Sequence, residues 1–256
     1  MQLVVTKSNT LNAFSWIKQG WRLFTLQPGP FMGMSALVLF ATLMANMIPI
    51  LGIVVVFLSP FLTAGYYRAA SLAEQGESLT VTDIFALLSD ISKYRVLIRL
   101  AVFSVIMSIP ISLVAESIVV NFNEGMQPDP QTSLLFMMLM MVNFMLFAFA
   151  IPAAWVSPEM TALDLVKQSF RACWVNIMPL ALYGVLIATI SLISFPIVLV
   201  GWLIAHAVGV LSFYQMFMSI YQPKQDEGET EQQVQSESTE QAEQKKQDES
   251  QDSDQI

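Results

Sequence analysis

The 256-residue chain has one cysteine, one histidine and only 12% charged residues. Cys173 alone cannot close an intramolecular disulfide or build a Cys-based zinc site. A single histidine, His206, excludes any site needing two imidazoles. The sequence holds no glycine-rich phosphate loop, no Ser/His/Asp set and no paired-carboxylate motif, so no catalytic constellation and no cofactor is read from it. It also lacks the basic stripe that nucleic-acid binding requires. A soluble domain carries about a quarter charged residues, so an ordinary soluble enzyme is excluded. The few charges are unevenly placed. Residues 223–256 hold three Lys and eleven Asp/Glu and carry the whole net charge of −8, whereas residues 1–222 hold nine basic and nine acidic groups.

What the chain does have is length without charge. Its hydrophobic fraction is 55% and its mean hydropathy +0.58. Between Arg22 and Arg68 lie 45 uncharged residues, interrupted by Pro49 and Gly52; between Arg171 and Lys224 lie 52, interrupted by Pro196. A membrane-spanning helix needs about 20 apolar residues, so each run fits two spans, near 31–47 and 51–70 and near 176–194 and 197–220. Residues 97–120 and 132–156 supply one each, separated by the turn-rich NFNEGMQPDPQT. The fold expected is all-α: a polytopic integral membrane protein with six transmembrane helices, two or three interfacial amphipathic helices and a disordered acidic tail. The N-terminal MQLVVTKSNT has no signal-peptide core, so the spans themselves are expected to direct insertion.

All twelve Lys/Arg fall before span one, between spans two and three, between four and five, or after six. The positive-inside rule then puts both termini in the cytoplasm. Trp16, Trp21, Trp155, Trp174, Tyr66, Tyr67, Tyr94 and Tyr221 are expected as aromatic anchors at that boundary.

AFSWIKQGWRLFTLQPGP (13–30) aligns without gaps on ALDLVKQSFRACWVNIMP (162–179) at an offset of 149. At 100° per residue, Phe14, Ile17, Trp21 and Phe24 share one face, with Lys18 and Arg22 opposite. Leu163, Val166, Phe170 and Cys173 do the same in the second copy, opposite Lys167 and Arg171. Both copies read as interfacial helices, and Ser157-Pro158-Glu159 reads as the start of the second. A weaker third copy begins at Thr80 with Asp83 three residues on. The chain thus parses into a membrane domain, 1–222, with repeats 9–77, 78–156 and 157–222, and the tail, 223–256.

The succession WIKQGWRLF…P (16–30), SPFLTAGYY (59–67), LTVTDIF (79–85) and LVKQSFRAC…P (165–179) resembles a family of uncharacterised six-span bacterial inner-membrane proteins. The resemblance covers residues 10–220 and implies a bacterial cytoplasmic membrane. It brings no catalytic residues.

Intramembrane polar groups are the candidate sites. Glu116 follows Arg99 by 17 residues, about 25 Å of helix, which puts it near the far interface as a wetted helix end or a proton or substrate contact. His206, deep in span six, reads as a packing residue or a proton or metal contact. Asn46 and Asn143 need partners in lipid. Gly201, Ala205 and Gly209 form a small-residue ridge suited to close helix packing or self-association. Met137, Met138, Met140, Met141 and Met145 cluster on span four without a Cys or His, as flexible apolar filler. Cys173 is expected to be buried. The tail reads either as a tether for a basic partner or as a solvated brush.

Two functions stay open. One is a non-enzymatic accessory or interaction protein, organising lipid, a membrane-protein partner or a homo-oligomer. The other is a transporter or exporter of a lipidic or hydrophobic small solute.

Overall fold

The computed structural model describes residues 3–194 and 198–223. The tail from residue 224 and the Pro196 turn lie outside the described residues. The described residues fall in two units, Leu3, Val4, Gln222 and Pro223 in the first and the described residues of Val5–Tyr221 in the second. The described part of the first consists of strand residues, in a ribbon of β1 (Leu3–Val5) and β2 (Tyr221–Pro223) that the hydropathy pattern gives no sign of.

The second unit is helical, and six of its helical stretches are long and apolar enough to cross a membrane. The protein is an all-α polytopic membrane protein. Helix α1 (Asn12–Leu26) leads into the hairpin α2 (Pro28–Met47) and α3 (Pro49–Glu74). Proline disfavours helical geometry in the residue before it, and Ile48, ahead of Pro49, is extended and makes the turn. A Schellman motif ends α3: Gly76 has a φ of +81°, and the Glu77 N–H donates to Leu72 O at 3.1 Å. A 3-10 segment, Val81–Asp90, precedes α4 (Arg95–Asn123) and α5 (Pro130–Phe147). Short helix α6 (Ala150–Val156), α7 (Ala162–Val175), α8 (Ile177–Ser194) and α9 (Val198–Ile220) complete the unit.

Four sequence expectations need correction. Span four is broken, between α5 and α6. Pro152 lacks an N–H and its ring crowds the carbonyl of residue 148, four positions back, so the helix stops there. The third amphipathic segment is a 3-10 helix rather than an α-helix, although Thr80 and Asp83 do meet at its start, with the Thr80 N–H donating to Asp83 Oδ2 at 2.7 Å. Helix α7 is capped by Thr161, whose Oγ1 accepts from the Asp164 N–H at 3.2 Å; Ser157 instead closes α6, its buried hydroxyl without a partner among the described residues. Finally, the buried face of the interfacial helices is rotated from the one expected. Trp16, Gly20, Leu23 and Phe24 are buried in α1, and Leu165, Ser169, Ala172 and Cys173 in α7, while Phe14, Trp21, Leu163 and Phe170 are exposed. Each helix carries two apolar stripes, because it meets protein on one side and is left with an exposed apolar edge on the other.

Those buried positions match pairwise at the offset of 149, and the offset extends beyond the sequence match. Pro28 and Ile177, which open α2 and α8, stand 149 residues apart, as do Pro49 and Val198, which open α3 and α9. Packing follows the same logic. Helix α1 lies on α9, the 3-10 segment on α3, and α7 on α5 and α6. Each interfacial element thus rests on the second span of the preceding segment, and α9 closes the circle onto α1.

Small residues make these seams close. A Cβ on Gly20 would collide with Ser212, and one on Gly65 with the Ile84 carbonyl. Ser169, at Gly20's place in the later copy, donates to Met145 O at 2.9 Å and accepts from the Phe149 N–H at 3.0 Å, sealing the α5–α6 break. The principal core, around Phe31, Met34, Tyr66, Tyr67, Ile84, Leu211 and Tyr214, lies where α1, the 3-10 segment and the basic ends of α2, α3 and α9 converge.

Candidate functional site

Three spans contribute one buried polar chain. Tyr66 on α3 donates its hydroxyl proton to Phe31 O on α2 at 3.0 Å. Its oxygen lies 3.1 Å from Ser35 Oγ, and Ser35 Oγ lies 3.0 Å from His206 Nδ1 on α9. The direction of every bond is fixed by the far end. A carbonyl only accepts and each hydroxyl has one proton, so Ser35 must donate to Tyr66, and Nδ1–H of His206 must donate to Ser35. That sets the neutral tautomer of His206 and leaves Nε2 as an acceptor. Among the described residues, Nε2 has no partner.

His206 also lines a cavity of about 340 Å³ between α3, α8 and α9, walled by Tyr67, Tyr183, Trp202, Gly209 and Phe213. The Tyr183 hydroxyl is committed to Gly209 O at 2.7 Å, so this residue contributes its ring. Tyr67 stacks on Phe213 and Tyr214 and is 5% exposed, yet its hydroxyl makes no hydrogen bond among the described residues. The cavity is therefore mainly aromatic, with three polar side chains uncommitted among the described residues: the His206 acceptor, the Tyr67 phenol and the Ser191 hydroxyl on the α8 wall. In a low-dielectric setting each is costly to leave unpaired. An occupant with an apolar body and one small group able to donate and accept would satisfy the imidazole and the phenol. Trp202 also borders an apolar groove of about 700 Å³ between α2 and α9, lined by Leu39, Phe40 and Leu43.

The other sequence candidates fall elsewhere. Glu116 is exposed on α4, away from the cavity wall. Asn143 is half-buried, and its buried Oδ1 has no partner among the described residues. Asn46 lies in α2, but its side chain is outside the described residues. Of the small-residue ridge, Gly201 and Ala205 are buried, and Gly209 faces Ile187 of α8. Lys18, Arg22, Lys167 and Arg171 are all exposed. Met137, Met138, Met140 and Met141 are exposed, and Met145 is buried. Among the described residues no cluster of three or more His, Cys, Asp or Glu side chains could hold a metal ion.

Sequence reading missed Ser35 and the burial of Tyr66 and Tyr67. The two tyrosines pack in the protein core, as do Trp16 and Tyr221, whereas Trp21 and Trp174 are exposed. A usable signal was present: Gly65-Tyr66-Tyr67 sits inside an otherwise apolar span, and a tyrosine there needs an internal partner for its hydroxyl.

The fold defines a polytopic membrane protein in which a polar chain joins three of the long apolar helices. No family model matches the chain, and no curated protein or solved structure does.

Proposed function

We propose that the chain is a non-enzymatic protein of the bacterial inner membrane that binds a lipidic or hydrophobic solute carrying one small polar group. The observation that carries this reading is the aromatic cavity, with His206 Nε2 and the Tyr67 hydroxyl left for an occupant. The α2–α9 groove supports it, since Trp202 borders both spaces and an apolar chain could lie along the groove with its polar end at His206. The placement of every Lys and Arg at one end of the spans supports a topology with both termini in the cytoplasm.

The reading is tested by native mass spectrometry of the full chain purified in mild detergent. A small molecule is expected at fixed stoichiometry on the wild type and absent from His206→Phe, a change that copies the residue type of Phe57, which stands 149 residues earlier. A bare wild type, or equal retention by the variant, would overturn the proposal. Movement of that molecule between leaflets of reconstituted vesicles would then mark an exporter. A static complex would mark an accessory protein that organises lipid or a partner.

A further inference from the structure

A second polar hollow, of about 240 Å³, opens where α1 meets the ends of α3 and α9 and shares no residue with the His206 cavity. Gln19, Arg22 and Leu26 line it from α1, Glu74 from the last turn of α3, and Gln215 from α9. Glu74 is fixed in place. Its Oε2 accepts from the Tyr214 hydroxyl at 2.9 Å and its Oε1 from the Gln215 amide. Arg22 borders the same hollow, and among the described residues its guanidinium makes neither an ion pair nor a hydrogen bond. The hollow therefore presents one fixed negative charge and one cation with all its donors to spare.

That pairing selects its ligand. A simple anion would meet the Glu74 carboxylate and a simple cation would meet Arg22, and each would be repelled by one wall. A zwitterion satisfies both. We infer that the hollow binds the headgroup of a zwitterionic phospholipid with a primary ammonium, its phosphate on Arg22 and its ammonium on Glu74. Arginine suits phosphate because its planar fork offers paired N–H donors. A lipid is favoured over a free solute because Leu26, 54% exposed, puts apolar surface on the wall of the hollow itself. The volume suits a headgroup, being roughly eight waters' worth of liquid, and the acyl chains would lie outside the hollow, past Leu26.

The test uses the full chain in micelles holding equal phosphatidylethanolamine and phosphatidylglycerol, with bound lipid read by native mass spectrometry. The wild type is expected to retain phosphatidylethanolamine about tenfold over phosphatidylglycerol, the discrimination that one charge-assisted hydrogen bond supplies. Glu74→Gln keeps an acceptor for Tyr214 but loses the charge, so it should abolish or reverse the preference while still binding lipid. Arg22→Gln should lose both lipids, and Arg22→Lys should recover part of the binding. Equal retention of the two lipids by the wild type would overturn the inference, as would a preference unmoved in Glu74→Gln of unchanged thermal stability. Free phosphoethanolamine binding as tightly as the lipid would assign the hollow to a soluble zwitterion instead and overturn the lipid assignment.

Discussion

Gln27 and Asn176, 149 residues apart, make the same pair of hydrogen bonds. The Gln27 amide donates to Glu77 O at 2.6 Å and accepts from the Leu79 N–H at 2.8 Å. The Asn176 amide donates to Thr6 O at 3.1 Å and accepts from the Ser8 N–H at 2.7 Å. Each residue links an interfacial helix to the first span of its hairpin, and each grips two backbone groups two residues apart in a remote segment. A side-chain amide carries both donor and acceptor, so it can stand in for the backbone of a missing strand partner. The gripped segments are equivalent as well. Glu77–Leu79 leads into the 3-10 segment, and Thr6–Ser8 leads into α1. The circular order of the three segments is thus written in hydrogen bonds as well as in helix packing.

The two clamps should differ in strength. Asn176 is fully buried and also donates to Ala172 O at 3.0 Å, whereas Gln27 is half-buried at the edge of a turn. Replacing Asn176 by Ala leaves the Ser8 N–H and Thr6 carbonyl without their partner, a loss of about 2–3 kcal/mol for buried groups. Gln27→Ala, where water can substitute, should cost about 1 kcal/mol. Thermal unfolding in detergent should rank the variants wild type, Gln27→Ala, Asn176→Ala in falling order. A reversed order would show that burial does not set the cost of these bonds.

Much of this fold was readable because lipid imposes one rule on the backbone: polar groups within a span must be satisfied internally, so apolar uncharged runs become helices. Six spans and the register between residues 13–30 and 162–179 follow directly. The buried face of α1 did not, because hydrophobicity alone cannot tell a stripe that meets protein from one left exposed; Trp16 and Trp21 are chemically alike, yet one is buried and the other is not. The break at Phe149 was foreshadowed by Pro152, but its repair by Ser169 depends on a residue twenty positions away. The site was legible only at His206. Its connection through Ser35 to Tyr66 joins three helices, and no spacing within any one of them announces it.

Gly65 tests how tightly the 3-10 segment must approach α3. Its hydrogen side faces the Ile84 carbonyl so closely that a methyl group has no room, and backbone rather than a flexible side chain stands in the way. Gly65→Ala should therefore separate the two elements and disturb neighbouring Tyr66, whose hydroxyl anchors the chain to His206. A destabilisation of about 2 kcal/mol is expected from overpacking, in contrast with Gly184→Ala, where nothing lies within 4 Å of the new methyl. Comparable stability of the two variants in a detergent melt would mean that the seam can open at little cost.

Cys173 gives a pH-dependent readout of the α7 seam. The side chain is 2% exposed, and burial pushes its thiol up to about 12 from an ordinary value of 9.0. Burial disfavours the thiolate in the folded protein only. Below pH 9 the thiol is protonated in both folded and unfolded chains, and its contribution to stability is complete. As pH rises from 9 towards 12, the unfolded chain releases this proton while the folded one keeps it, so stability must fall across that window. Cys173→Ala should flatten this part of the stability-against-pH curve relative to wild type. The same burial predicts that a maleimide probe at neutral pH labels Cys173 at the rate at which the seam opens, since only the exposed thiolate reacts. Labelling should accelerate sharply in Ser169→Ala, which strips the α5–α6 break of its partner beside Cys173's helix face. Rapid labelling of the wild type at neutral pH, as fast as that of unfolded chain, would show that α7 does not hold Cys173 against the bundle.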